Sequence, residues 1–427
     1  VFRFFINLIF PIVALIATPF WLLKTRRREG LSQRLWEKLG HYDKNSSPPP
    51  TPEKKAPIYL HAVSVGEVNI ARKLIAAWSE THPKQTFLLA VSTSTGFDLA
   101  RNNPSPHTGV IYAPLDFPPF LKACFTRYRP AQIVLIEAEV WPNIMALAKE
   151  KGIPVTLANA RLSPRSGRRL AKARCMMESS YRVLDWVGAQ TESDVSRLEA
   201  IGIRPEAIHS IGSIKFDPAL ATPANPSFDP RPLLESLGKG PLVMALSTHP
   251  GEELLFAQAA SQLSNARIVI IPRHMERRDE ISSELTSAGF EILLRSTIQA
   301  VEAEKHVGKI LLVDSTGELP AFTENAQLAF VGKTLLSEGG QNPCEAIAAR
   351  VPLIAGPHFA NFEPLATELR NAKGLLTIRN REELTAAMQR LLNEPAEARR
   401  QTESALAMLE QHRGATQRTV MALESSR

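Results

Sequence analysis

Apolar residues along this chain fall in short β-branched runs separated by longer amphipathic stretches. Residues 58–63, 86–91, 131–136, 155–158 and 186–189 read as strands, and 67–80 as a helix. The pattern breaks over residues 218–240, which hold five prolines, and then resumes. Residues 242–246, 268–271, 310–313, 328–331 and 353–355 are brief apolar runs of the kind that parallel strands bury on both faces. From residue 381 onward the pattern is mostly helical. Strand-helix alternation predicts an α/β protein whose parallel sheets carry helices on both faces. The expected domains are 58–217 and 241–427, the second ending in a helical tail, with 218–240 as hinge. Two such Rossmann-like, doubly wound domains turn the carboxyl ends of their strands toward a central cleft, where ligands bind.

The first residues follow another pattern. Residues 4–23 are almost wholly apolar, interrupted by Asn7, Pro11, Thr18 and Pro19, and Lys24, Arg26, Arg27 and Arg28 follow at once. About 20 apolar residues match a membrane span. Cations after the run, not before it, hold the following chain on the cytoplasmic side. Two prolines leave a helix lying in the interface as the alternative. Residues 1–28 are therefore expected to anchor the body at the inner membrane. Residues 29–57 connect it, ending in a linker rich in proline, serine and charge.

Composition narrows the partners. The 427 residues exceed one ordinary core. The formal net charge of +7 suits an anionic membrane surface or a phosphorylated substrate. Basic residues are not interleaved with aromatics, which disfavours nucleic acid. Cys124, Cys175 and Cys344 are far apart, which points to a reducing compartment and excludes a disulfide framework or a cysteine zinc site.

Chemistry is sought just after the strands. The first strand runs into His61-Ala-Val-Ser-Val-Gly-Glu67. Ser64 and Gly66 suit the turn, and Glu67 can accept a proton from a substrate hydroxyl or simply complement a helix dipole. Ile136-Glu137-Ala138-Glu139 places two acids at a strand end, before a Pro142 that suits a helix start. Arg161 and Arg165 lie in a basic segment that suits either acceptor phosphates or solvent. Lys215 follows the last strand of the domain and points toward the hinge.

In the second block, Ser247-Thr248-His249, Pro272-Arg273-His274, Thr316-Gly317-Glu318 and Gly339-Gly340-Gln341-Asn342-Pro343-Cys344-Glu345 each follow a strand. Asn342 as N-cap with Pro343 in the first helical position explains itself structurally. Glycines before a helix start also make an anion site, where Arg273 suits a phosphate and Glu345 ribose hydroxyls. There is no phosphate-binding P-loop and no Asp-x-Asp, and the histidines are dispersed, so no metal site is expected. A leaving phosphate must then be met by Lys, Arg and backbone N–H groups.

Taken together, these blocks resemble the Kdo transferases of lipopolysaccharide synthesis over nearly the full length. The resemblance implies a GT-B fold and transfer of the acidic ketose Kdo from CMP-Kdo to a lipid A precursor. It implies inversion, no metal and no cofactor beyond the donor substrate. It implies Glu67 as proton acceptor, with Glu137 and Lys215 stabilising the transition state. It assigns CMP to Pro272, Arg273, Thr316, Gly317, Glu318, Asn342, Pro343, Cys344 and Glu345. Candidate acceptor contacts are Ser64, Gly66, Glu139, Arg161 and Arg165. Ala138, Pro250, Met275, Thr316, Lys333-Thr334 and Gln341 depart from family usage, which bears on the nucleotide pocket and not on the reaction class. Another GT-B transferase, an epimerase, or an inactive membrane-tethered homologue are the competing expectations.

Overall fold

The computed structural model describes residues 3–9, 11, 31–42, 56–217, 228–298, 305–363 and 365–425. The chain forms two compact units, one of Val1–Asp217 with Gly414–Arg427 and one of Pro218–Arg413.

The first unit is built on a seven-stranded parallel sheet of order β3-β2-β1-β4-β5-β6-β7. Its strands are β1 (Ile58–Ala62), β2 (Phe87–Val91), β3 (Thr108–Tyr112), β4 (Gln132–Ile136), β5 (Val155–Ala160), β6 (Trp186–Ala189) and β7 (Ile208–Ser210). Residues of β1, β2, β4 and β5 are buried throughout, as helices on both faces require. On one face the helix Val65–Thr81 packs Val68, Leu74 and Trp78 against Leu60, Phe87 and Ile136. On the other, the helices Pro118–Tyr128 and Pro142–Lys151 bring Leu121, Phe125 and Ile144 to Tyr59, Leu88 and Leu135. Fully burying each such side chain contributes about 1.5–3 kcal/mol.

The second unit repeats the plan with order β10-β11-β9-β8-β12-β13-β14, again all parallel. Its strands are β8 (Leu242–Thr248), β9 (Arg267–Pro272), β10 (Ile292–Leu294), β11 (Ile310–Leu312), β12 (Leu328–Val331), β13 (Leu353–Ala355) and β14 (Leu376–Thr377). Phe256 of the helix Glu252–Ala260 and Phe330 of β12 stack in its core, with ring centroids 6.1 Å apart.

One expectation changes. The helical tail does not stay wholly with the second unit. Helices Arg381–Asn393 and Pro395–Glu410 do, but the helix Ala415–Ser425 belongs to the first. The cause is its apolar face: Ala415, Val420 and Leu423 are buried in the same cluster as Trp78. Asp217 fastens its start, accepting the N–H groups of Gly414 and Thr416, each at 2.9 Å. The expected membrane anchor over residues 1–28 falls largely outside the described residues, as does most of the linker and much of the hinge. Residues 3–9 are helical, and among the described residues no helix is long and apolar enough to cross a membrane. None of the three cysteines is in a disulfide.

Candidate active site

In each sheet the connections reverse direction at one point, and the strand ends on either side of it open a crevice. In the first unit that point lies between β1 and β4. Glu67 follows β1 and Glu137 follows β4. Ser64 caps the helix Val65–Thr81 in a capping box, its hydroxyl oxygen accepting the Glu67 N–H. In return the Glu67 carboxylate accepts the N–H of Val63 at 2.8 Å, the N–H of Ser64 at 3.2 Å and the Ser64 hydroxyl at 2.8 Å. Glu67 is thus buried and held by its own turn. An ionised carboxylate offers roughly four acceptor positions, so three bonds leave about one for a further donor.

Glu137 has left-handed backbone, φ 61°, costly for a residue other than glycine, and its N–H donates to the Ala158 carbonyl at 2.9 Å. Burial pushes its carboxyl above the usual range, the Glu67 charge adds to this, and Arg161 and Lys215 oppose it. Glu139 is pushed up by burial and by Glu67, while its hydrogen bond from the Trp141 indole, at 2.8 Å, opposes the shift. Glu67, Glu137, Glu139, Arg161 and Lys215 therefore share one electrostatic neighbourhood. Ser64 and Gly66 form the exposed rim of the turn. Arg165 is exposed on the helix Pro164–Lys172, and none of the described contacts joins it to the carboxylates. Despite the three glutamates, among the described residues no group of three or more His, Cys, Asp or Glu converges on a metal position.

Lys215 lies in a single 3-10 turn, Ile214–Phe216, which the Lys73 ammonium fastens through the carbonyls of Ile214 and Lys215. From below, Asn159 accepts the Ile214 N–H at 2.9 Å with its side-chain oxygen. Asn159 is fully buried with φ 57°, and its side-chain nitrogen has no partner among the described residues. It holds the Lys215 turn against the end of β5. The sequence reading passed it over, although an asparagine inside the apolar run Thr156-Leu-Ala-Asn159-Ala was its signal.

The second unit reverses direction between β8 and β12. Its strand ends approach so closely that a side chain on Gly332 would come within 2.4 Å of the Ser247 carbonyl oxygen. Buried Glu252 organises the crevice, accepting the N–H groups of His249, Lys333, Thr334 and Leu335 at 2.7–3.3 Å. His249 is held below its usual range by burial, then by the charges of Lys333, His274, Arg277 and Arg273. Its ring meets that of His274 edge to face at 5.9 Å, and its Nε2 lies 2.9 Å from the Gln341 amide nitrogen. His249 and Gln341 lay in segments noted after strands but were given no role, and Lys333 was noted only as a departure from family usage; the structure brings the three together around Glu252 and His249. Lys333 has φ 58°, a conformation that sequence pattern does not announce.

Of the expected nucleotide residues, Pro272 ends β9 and Arg273 is exposed beyond it, its N–H on the Thr248 carbonyl at 3.1 Å. Thr316 and Gly317 form an exposed turn, and Glu318 is gripped by Arg295 at 3.0 and 3.1 Å. The helix expected to begin at Pro343 runs from Cys344 to Ala348, with Pro343 in the cap position. Asn342 precedes the cap, not in it as expected, and its side-chain oxygen accepts the Cys344 N–H at 3.1 Å. Burial pushes the Glu345 carboxyl up.

Known proteins resemble this chain in both sequence and fold. The family described as "3-Deoxy-D-manno-octulosonic-acid transferase (kdotransferase)" matches residues 33–218. A 3-deoxy-D-manno-octulosonic acid transferase of Bordetella pertussis is 34% identical over 419 residues, covering 95% of each chain. One from Haemophilus influenzae is 30% identical over 393 residues, covering 90% of each. The solved UDP-GlcNAc 2-epimerase of Neisseria meningitidis covers 86% of this chain and 99% of its own with a TM-score of 0.57, but at 12% identity it speaks for the fold alone. With two doubly wound units and this likeness over nearly its whole length, the chain belongs to the 3-deoxy-D-manno-octulosonic acid (Kdo) transferase family and is a glycosyltransferase.

Proposed function

We propose that this enzyme transfers Kdo from CMP-Kdo to a sugar hydroxyl of a lipid A precursor, with inversion and without metal. The observation that carries the reading is the difference between the two crevices: Glu67, Glu137 and Glu139, with Arg161 and Lys215 beside them, in one unit, and Lys333, Arg277 and Arg273 around His249 in the other. Glu67 accepts the proton of the acceptor hydroxyl through its remaining acceptor position. The hydroxyl oxygen bonds to the anomeric carbon, and the bond to phosphate breaks with its electron pair leaving on CMP. Attack from the face opposite the leaving group inverts the centre. Glu137 and Lys215 stabilise the charge that develops around the reacting sugar.

Arg273, with Lys333 and His249, holds the phosphate. The turn of Thr316 to Glu318 and the segment Asn342 to Glu345 hold the nucleoside. Ser64, Gly66, Glu139, Arg161 and Arg165 face the acceptor. The apolar, basic-flanked N-terminus and the net positive charge support work at the cytoplasmic face of the inner membrane.

Incubation with CMP-Kdo and a tetra-acylated glucosamine disaccharide in EDTA, read by mass spectrometry, tests this. The lipid should gain Kdo. Turnover that stops on chelation and returns with magnesium would exclude the metal-free account, and turnover of a UDP-sugar instead would exclude the donor.

A further inference from the structure

A cavity of about 490 Å³ opens in the first unit at the carboxyl ends of β1 and β2, on the face covered by the helices Pro118–Tyr128 and Pro142–Lys151. Its walls are mainly apolar, with Ile6, Ala113, Leu121, Trp141 and Ile144 among them. Close-packed interiors leave few voids larger than a water molecule, and this one falls within the range of about 300–1,000 Å³ typical of ligand sites. Val63 is part of the wall, and its N–H donates to the Glu67 carboxylate at 2.8 Å. The cavity therefore borders the turn that holds the proposed base.

One polar group in the wall stands out. His61 lines the cavity, is only 6% exposed, and its Nε2 is buried with no partner among the described residues. Such an atom costs free energy unless something meets it. Its other nitrogen, Nδ1, lies 3.4 Å from the Tyr59 hydroxyl. Burial pushes the Tyr59 hydroxyl well above its usual range and His61 down to about 4, so the phenol keeps its proton and the imidazole is neutral. In the tautomer in which Tyr59 donates to Nδ1, the imidazole proton sits on Nε2, where it can donate to a ligand. The Asp116 carboxylate, also in the wall, is already taken by the N–H groups of Asn143 and Ile144 at 3.0 and 2.9 Å.

We infer that this cavity receives an aliphatic acyl chain of the acceptor lipid, and that His61 Nε2 donates to a hydroxyl or carbonyl oxygen on that chain. The inference rests on the proposed lipid acceptor. It assigns the cavity a selective role, since a chain seated beside Val63 places the attached sugar at Glu67.

The test compares the wild type with Ser92→Phe, which fills the cavity from a half-buried wall position, and with His61→Phe, which removes the donor. Each is assayed on an acylated disaccharide and on the same disaccharide stripped of its chains. The readout is the ratio of the two kcat/KM values, with the thermal melt followed by circular dichroism as the check on folding. Each methylene kept out of an apolar site weakens binding about fourfold, so Ser92→Phe should lower the ratio at least about tenfold. His61→Phe should lower it about fivefold. A wild type that transfers to both acceptors alike, or a ratio unmoved by both variants, would overturn the inference. A wild type that transfers Kdo to neither acceptor condemns the proposed function instead. Independently of turnover, an alkyl glycoside brominated in its chain should quench Trp141 fluorescence, identified by subtraction of Trp141→Phe, and should no longer do so in Ser92→Phe. Equal quenching in Ser92→Phe would also overturn the inference.

Discussion

Both units are seven-stranded, doubly wound parallel sheets with candidate chemistry beside their first strands, yet carboxyls predominate in one crevice and cations in the other. Between β1 and β4 a carboxyl is pushed up by burial and by a neighbouring carboxylate. Between β8 and β12 an imidazole is pushed down by burial and by four neighbouring cationic or basic groups. Each crevice thus disfavours more of the charge it already holds. The first is prepared to take a proton or a positive charge, the second to take an anion. A doubly wound sheet supplies only the location; the side chains after its strands decide which half of a transfer reaction each crevice serves.

The largest expected effect separates two roles of Glu67. Glu67→Gln should lower kcat by ~10²–10⁴-fold, as loss of a general base does. Ser64→Ala removes the hydroxyl from the capping box but keeps the carboxylate, and should cost about 0.5–2 kcal/mol of stability while lowering kcat far less than Glu67→Gln does. Matching losses of activity and melting temperature in the two variants would reduce Glu67 to a helix cap.

Next in size is Lys215→Ala, which should lower kcat by ~10²–10³-fold with little change in CMP affinity, in line with losing a charge that acts in the transition state. The turn that presents it can be probed separately. Asn159→Ala should reproduce part of that loss, because it releases the Ile214 N–H beneath Lys215. Stopped-flow single turnovers on both variants decide the point. A full rate with Asn159→Ala would leave that residue a packing role only.

How much of this was legible in the sequence follows from physics. The ten strands read from apolar runs are all present, and the four missed, β3, β7, β10 and β14, are the edges of the two sheets. Central strands are buried on both faces and must be continuously apolar. An edge strand is covered less, as the largely exposed β7 and the half-buried β10 show, so its pattern fades into the loops. The positions of Glu67, Glu137 and Arg273 just after strands were legible because the ends of those buried strands can be read. Asn159 and Lys333 were not, because their places depend on positive φ angles and, for Lys333, on the buried Glu252 from a distant part of the chain. The return of helix Ala415–Ser425 to the first unit is equally invisible in a local pattern.

A smaller effect sharpens the cationic side. A bound phosphate offsets the positive field that depresses His249, so its pKa is higher in the complex than in the free enzyme. Protons are then taken up on binding, and CMP affinity should rise as pH falls below about 6.5 into the range of the depressed free-enzyme value. Protonation of CMP itself works the other way and is common to all variants. His249→Asn should therefore remove the favourable slope, which calorimetry in two buffers of different ionisation enthalpy would detect as lost proton uptake.

The smallest effect belongs to Glu137. Its raised carboxyl means that its ionisation opposes folding as pH rises through the folded-state value, and that this penalty is absent at low pH. Glu137→Gln should raise the melting temperature at neutral pH by about 2 °C while lowering turnover, and the gain should vanish in acid. Differential scanning calorimetry across pH tests it, and a lower melting temperature at neutral pH would show that the carboxylate is needed for packing.

The division of labour between the crevices is tested most directly by CMP titration calorimetry on Glu67→Gln and Arg273→Ala side by side. Glu67→Gln should bind CMP as the wild type does, and Arg273→Ala should bind it at least about tenfold more weakly, as loss of a charged hydrogen-bond donor implies. Equal affinity in the two variants, or weakening caused by Glu67→Gln alone, would contradict the assignment of the nucleotide to the cationic crevice.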